Sequence, residues 1–323
     1  MGGREWPIKE EQTQECGRTC IASRDIVNGE LILDAEPFAS VILQPFQRQV
    51  CGWCYTYGYG SPNLKYILRG CIRFCSPQCR ELWERFYENT CLLEALEAIE
   101  RARRRKKPEE ARPGQCLGNK TITSQVDLDE IWNALDFSGA PKLTSLDDTG
   151  LFDVGRFVAS TLAGIARHLQ MGDYGRMQSN EVQVSRSFPD LLNGYCQLYL
   201  FLRSILPAPL LELCTTDNVR SILGKEAANA FGIWELPLSA ESEQLGYGIY
   251  PSASFFNHGN SSLSQRVTNT RLSLQCPKTA PWSVHAALRQ PGYCKRRDAQ
   301  YQLWTSRIKK RSAPRQAPPR VVL

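Results

Sequence analysis

Two pairs of thiols carry the plainest chemistry in the chain. Cys51-Gly-Trp-Cys54 and Cys75-Ser-Pro-Gln-Cys79 bring four sulfurs into two short segments. Four thiolates about 2.3 Å from one tetrahedral ion make a closed structural zinc site. The second pair has its own local geometry: Ser76 is a good N-cap and Pro77 suits the first helical position. Cys79 therefore falls in the first turn, and both sulfurs can face one ion. Structural zinc is worth roughly 10 to 16 kcal/mol in small peptides, about the whole stability of a domain, so metal would decide whether this segment folds. Five of the thirteen cysteines lie within residues 51–79, which argues against four unrelated buried thiols.

A second group of motifs combines glycines with polar side chains. GRTCIASRDIVNGELILDAEP spans 17–37, NAFGI spans 229–233, and GYGIYPSASFFNH spans 246–258. Glycine lets main chain come close to a ligand. Amide and imidazole groups offer directed hydrogen bonds to a ligand without adding charge.

The elements that must hold these motifs follow from periodicity. Short apolar runs and turn signals over 17–43 predict a small antiparallel strand set, broken at Asn28-Gly29. From Cys51 to Cys91 the composition shifts to cysteine and aromatic residues, as in an inserted module. Its helix, RELWERFYENTC, places Leu82, Trp83, Phe86 and Tyr87 on one stripe. Leu92, Leu96 and Ile99 mark a helix ending in the basic run before Pro108. Asp127 with Glu130 reads as a capping-box start for a helix through Trp132 and Leu135. Helical spacing recurs in Phe157, Val158, Leu162, Ile165 and Leu169, in Leu191 to Leu202, and in Val219, Ile222, Leu223 and Ala227. These are core faces, with His168 at the end of the first. From Gly246 the pattern returns to strand and turn.

CGWC, FCSPQC, the aromatic helix and the closing Cys91 resemble a MYND finger. The segments on either side resemble the two halves of a SET domain, with Thr19 in place of the second opening glycine. The resemblance to the SET-MYND family covers about residues 15–258. It implies an α+β fold: a split SET-type β-fold with an inserted cysteine-rich zinc module and a helical region. Its parts would be 15–50 and 216–258 for the SET halves, 51–91 for the finger and 92–215 for the helical insert. It further implies one zinc on Cys51, Cys54, Cys75 and Cys79. Cys71 and Cys91 are left as weaker candidates, because no histidine stands between Cys79 and Cys91 to complete a second site. Gly17, Arg18, Asn229, Ser254, Asn257 and His258 would line a pocket for S-adenosylmethionine. The activity implied is protein-lysine methylation of a histone or other protein, and the finger's implied partner is a Pro-containing peptide. The alternative is a zinc-dependent interaction module with a non-catalytic SET remnant, its peptide surface formed by Trp53, Tyr55 and Trp83.

After His258 the resemblance stops. No Gly-Glu-Glu segment follows, Tyr293 lies in a Pro-Gly-Tyr-Cys turn, and the catalytic residue stays unassigned. Methyl transfer to an amine is an in-line displacement that needs the two atoms held about 3 Å apart, so a chain lacking the aligning tyrosine would be inactive as printed. Residues 259–323 are polar, basic and rich in Ser, Pro and Arg, which predicts a disordered basic tail outside the family fold. A changed reading frame or an unspliced segment would produce such a switch.

The charge of +6 is local, since residues 295–323 carry a net +8 and leave the other 294 near −2. A near-neutral body gives no electrostatic argument for a nucleic-acid groove, because such binding needs clustered basic side chains on a folded surface. The start MGGREWPIKEEQ lacks the apolar run of a signal peptide, and no stretch reaches the ~18 apolar residues of a membrane span. The expectation is a chain of the nucleus or cytoplasm, where clustered thiols bind metal rather than pair.

Overall fold

A computed structural model describes residues 6–14, 17–27, 29–58, 64–105, 124–135, 143–146, 148–167, 172–237, 239, 241–256, 264–268 and 271–275. The chain opens with β1 (Ile8–Thr13) and β2 (Gly17–Ala22), an antiparallel pair in which Ile8 faces Ala22 and Thr13 faces Gly17. Next come β3 (Leu31–Ala35) and β4 (Ala39–Ile42), both with largely buried side chains. The finger follows with the short hairpin β5 (Tyr66–Leu68) and β6 (Ile72–Phe74), then α1 (Pro77–Phe86). Arg69 and Gly70, at φ 43 and 71, form the left-handed turn of that hairpin.

The helical region begins with α2 (Leu92–Arg104) and α3 (Gln125–Asn133). The α3 cap is Ser124, whose side chain accepts from the Asp127 amide while Asp127 reaches back to the Ser124 amide. The box therefore starts three residues earlier than the Asp127–Glu130 pair predicts, because a Ser-x-x-Asp box competes for the same turn. After it come α4 (Gly150–Arg167), α5 (Gly172–Arg176), α6 (Glu181–Ser187), α7 (Pro189–Ile205), α8 (Ala208–Leu213) and α9 (Thr216–Asn229). The periodic faces of α4, α7 and α9 meet in the main core, where Phe157, Leu162, Leu198, Phe201, Val219 and Ile222 are fully shielded. His168 and Leu169 lie outside the described residues.

The chain then returns to sheet: β7 (Ala230–Trp234), β8 (Gln244–Ile249), β9 (Ser264–Thr268) and β10 (Arg271–Gln275). The order β4-β8-β7 joins strands some two hundred residues apart, with Ala39 facing Ile249 and Ile42 facing Gly246. A Cβ on Gly246 would come within 2.3 Å of the Val41 carbonyl, so glycine is what lets these strands lie this close.

The second three-stranded sheet, β3-β10-β9, changes the expectation for the tail. Residues 259–323 are expected as a disordered segment, yet β10 pairs with β3 and buries Leu272 and Leu274 completely or nearly so. Arg271 fixes the join by ion pairs to Asp34 at 2.6 Å and Glu36 at 2.5 Å. Sheet-forming chain thus runs to Gln275, seventeen positions past His258. The alternation in RLSLQ is the physical reason, since it places apolar side chains on one face of a strand whose partner lies far back in sequence. Apart from β9 and β10, the residues of 259–323, including Tyr293, lie outside the described set.

Candidate functional site

The first knuckle closes on itself and on the finger hairpin. The Tyr55 amide donates to the Cys51 carbonyl at 3.1 Å, the Cys51 amide to Thr56 at 3.0 Å, and the Gly52 amide to Arg73 at 2.8 Å. A side chain at Gly52 would meet Ile72 Cγ2 at 2.4 Å, so the turn needs glycine to seat against β6. The second knuckle is set as its residues predict: the Cys79 amide donates to Ser76 Oγ at 3.2 Å, and Pro77 opens α1. The result is that Cys51, Cys54, Cys75 and Cys79 gather with all four Sγ atoms within 4.8 Å of one another. Cys54 and Cys75 stand 3.5 Å apart, and Cys75 and Cys79 3.6 Å. Four sulfurs bonded at about 2.3 Å to one tetrahedral ion would be roughly 3.8 Å apart, so the cluster matches a metal cage in size and donor type.

Electrostatics favours the same conclusion. Hydrogen bonding with Cys51 holds the Cys54 thiol down to about 4, while the same bond and then burial push Cys51 up. Burial, with hydrogen bonds to Cys54 and Cys79, lifts Cys75 to about 11. One thiolate is thus favoured, but four in so small a volume need a cation. Cys71 donates to the Arg69 carbonyl at 3.4 Å, and Cys91, at φ 55, is the N-cap of α2. Neither joins the four. Among the described residues no other group of three or more metal-capable side chains gathers.

The second locus forms where β2 meets the turn after β8. The Cys20 amide donates to the Phe255 carbonyl at 3.1 Å, which ties the N-terminal opening to the end of the GYGIYPSASFF segment. Arg18 lies with its guanidinium 4.7 Å from the Phe255 ring centre, and Arg176 of α5 lies 5.3 Å from the same ring. Asn229 is buried at the end of α9 and donates at 2.8 Å to both the Gln178 and the Lys225 carbonyls. Lys225, one turn earlier, is also buried; its ammonium sits 4.6 Å from the Tyr174 ring, and desolvation lowers its pKa.

No family model matches the chain. It is 25% identical over 300 residues to "Potential protein lysine methyltransferase SET6" of Saccharomyces cerevisiae, covering 80% of each protein. It is 23% identical over 297 residues to a SET and MYND domain-containing protein of Dictyostelium discoideum, and 24% over 253 residues to "Histone-lysine N-methyltransferase ASHR2" of Arabidopsis thaliana. Two of these relatives are named as lysine methyltransferases and one for its SET and MYND domains. With its four-sulfur cluster, the chain is similar to SET-MYND proteins. It spans 52% of the length of the Dictyostelium and Arabidopsis relatives.

Of the six residues that the resemblance assigns to the donor, the structure describes four. Gly17 starts β2, and Arg18 donates to the Arg176 carbonyl and pairs with Glu10 at 3.9 Å. Ser254 turns its hydroxyl to the Tyr250 carbonyl at 3.1 Å. Asn229 is engaged as described above. Asn257 and His258 lie outside the described residues, two and three positions beyond Phe255. Sequence reading missed the segment Tyr174–Gln178, which supplies Arg176 and the acceptor for Asn229. GDYGRMQ has no periodicity to mark it, and only the fold carries it to this edge. In the finger, Tyr55 and Trp83 are buried and Trp53 packs edge-on to Phe86 at 5.4 Å, so these aromatics are packing rather than an open peptide surface. No helix of the described residues is long and apolar enough to cross a membrane.

Proposed function

We propose that this chain is a SET-MYND protein that binds S-adenosylmethionine at the edge joining β2 to the 250–256 turn, binds one zinc at its four cysteines, and methylates lysine on a protein substrate in the nucleus or cytoplasm. The observation that supports it best is the Cys20–Phe255 hydrogen bond. It brings the two resemblance-bearing segments into contact across more than two hundred residues. The names of the relatives give the reaction class. Arg18 offers a guanidinium suited to a donor carboxylate. Asn229 has its amide nitrogen occupied by two carbonyls, which leaves the side-chain oxygen to accept a hydrogen bond. Zinc would hold the two knuckles and supply no step of the transfer. Asn257 and His258 complete the donor contacts in this reading.

Calorimetry with S-adenosylmethionine on zinc-loaded protein tests binding. A methylation assay on histones and on a cell extract tests transfer. Binding without transfer would match the unassigned aligning tyrosine; absence of both would remove the enzyme reading. The second reading, a finger that takes Pro-containing peptides, draws support from apolar side chains other than those first expected. Tyr66, Ile67 and Leu82 on β5 and α1 are 38–43% exposed. A titration with proline-rich peptides, repeated on Ile67→Glu, tests it.

A further inference from the structure

Tyr55 follows the ligand Cys54 directly, and its backbone sits at φ 60. A bulky residue enters the left-handed region only where its surroundings hold it there. The ring is 6% exposed and belongs to the buried cluster that holds Leu33 of β3, Ile42 of β4, Val50 and Tyr250. Its hydroxyl donates to Ser40 Oγ at 2.7 Å. Ser40 lies on β4 opposite Gly248 of β8, and β8 leads into Tyr250. The Tyr250 carbonyl accepts the Ala253 and Ser254 amides at 2.9 and 3.1 Å and so shapes the turn whose Phe255 carbonyl receives the Cys20 amide. One side chain therefore connects a metal knuckle with the strand pair that aims the donor-facing turn.

We propose that Tyr55 is a positioning residue through which metal loading of the finger sets the 250–256 turn, so that donor affinity depends on the metal. The proposal rests on the zinc and donor assignments above. Loss of metal frees the Cys51–Cys54 turn, the left-handed Tyr55 backbone relaxes, and the hydroxyl leaves Ser40. The turn then loses its aim without any donor contact being removed.

The test uses the full chain as wild type, Tyr55→Phe, Ser40→Ala and the double variant, each with its zinc content measured. Readouts are S-adenosylmethionine affinity by calorimetry and hydrogen exchange of residues 246–256, before and after chelation. All four proteins should hold one zinc. Each single variant should bind donor about fivefold more weakly, the size of one neutral hydrogen bond, and the double variant no more weakly than either single. Chelation should speed exchange in 246–256 in wild type and add little in Tyr55→Phe. Ser40→Ala keeps the ring in place, so it decides the matter if Tyr55→Phe folds poorly. Additive losses, or exchange in 246–256 that ignores both chelation and the variants, would overturn the coupling. If wild type keeps zinc but binds no donor, the donor assignment fails, while the exchange data still decide whether the finger sets the turn. A folded wild type without zinc would overturn the coupling together with the metal assignment.

Discussion

The sulfur cluster and the edge where β2 meets the 250–256 turn are built by opposite means. In the finger, the contacting cysteines are separated by 4 and 21 positions, and each knuckle is shaped by its own turn or helix cap. At the β2 edge, Arg18 reaches Arg176 across 158 positions and Asn229 reaches Gln178 across 51. Short closures cost little chain entropy and then need a metal to hold like charges together. Long closures cost more and must be offset by the burial of a large core. The finger should therefore fail by losing its ion, and the edge by losing its packing.

Replacing Cys75 with Ser would break this contrast most severely. The variant should lose zinc and the order of residues 51–91, with a loss on the scale of structural zinc binding, roughly 10 kcal/mol. Metal analysis together with hydrogen exchange would show it. An ordered finger with three cysteines would mean that packing, not metal, holds it.

A smaller effect, of several kcal/mol, comes from the core behind the edge. Glu226 is buried on α9 with no well-formed hydrogen bond among the described residues. Burial raises its carboxyl to about 8, and the nearby Tyr247 hydroxyl offsets only part of that. Because the folded value lies above the ordinary glutamate value of 4.5, the folded state binds the extra proton. This contribution is full below pH 4.5 and is lost as pH rises toward about 8, at ~1.4 kcal/mol per unit. Glu226→Gln should flatten the fall in melting temperature over that window. An unchanged slope would show that Glu226 is ionised in the fold.

Leu272→Ala should cost about 2 to 4 kcal/mol, because it opens a cavity under β10 where the side chain is fully buried. Urea unfolding would measure it, and a loss below half a kcal/mol would detach β10 from the sheet. The smallest effect belongs to Arg271→Ala. Its ion pairs with Asp34 and Glu36 are 38% exposed on the arginine side, so the loss should stay under ~1 kcal/mol and shrink in high salt.

These differences explain what could be foreseen. Cys51, Cys54, Cys75 and Cys79 were legible because a knuckle is a local object, and Ser76 and Pro77 announce the helix start. The core faces of α4, α7 and α9 were legible from period alone. β10 was not, because RLSLQ looks like a polar tail until β3 lies beside it. Nor was the role of Tyr55, whose aromatic type suggests an exposed peptide surface in a finger until a left-handed turn buries it.

By itself, the order of residues determined a cage for one metal ion, the helices with their apolar stripes, and a chain that places glycines where strands must nearly touch. Only the tertiary structure decided that Arg176 and Gln178 join Arg18 and Asn229, that β10 closes onto β3, and that Tyr55 enters the neighbouring sheet. Spacing encodes what a few residues do to one another within a turn. Contacts across 50 to 240 positions depend instead on which faces the whole core brings together.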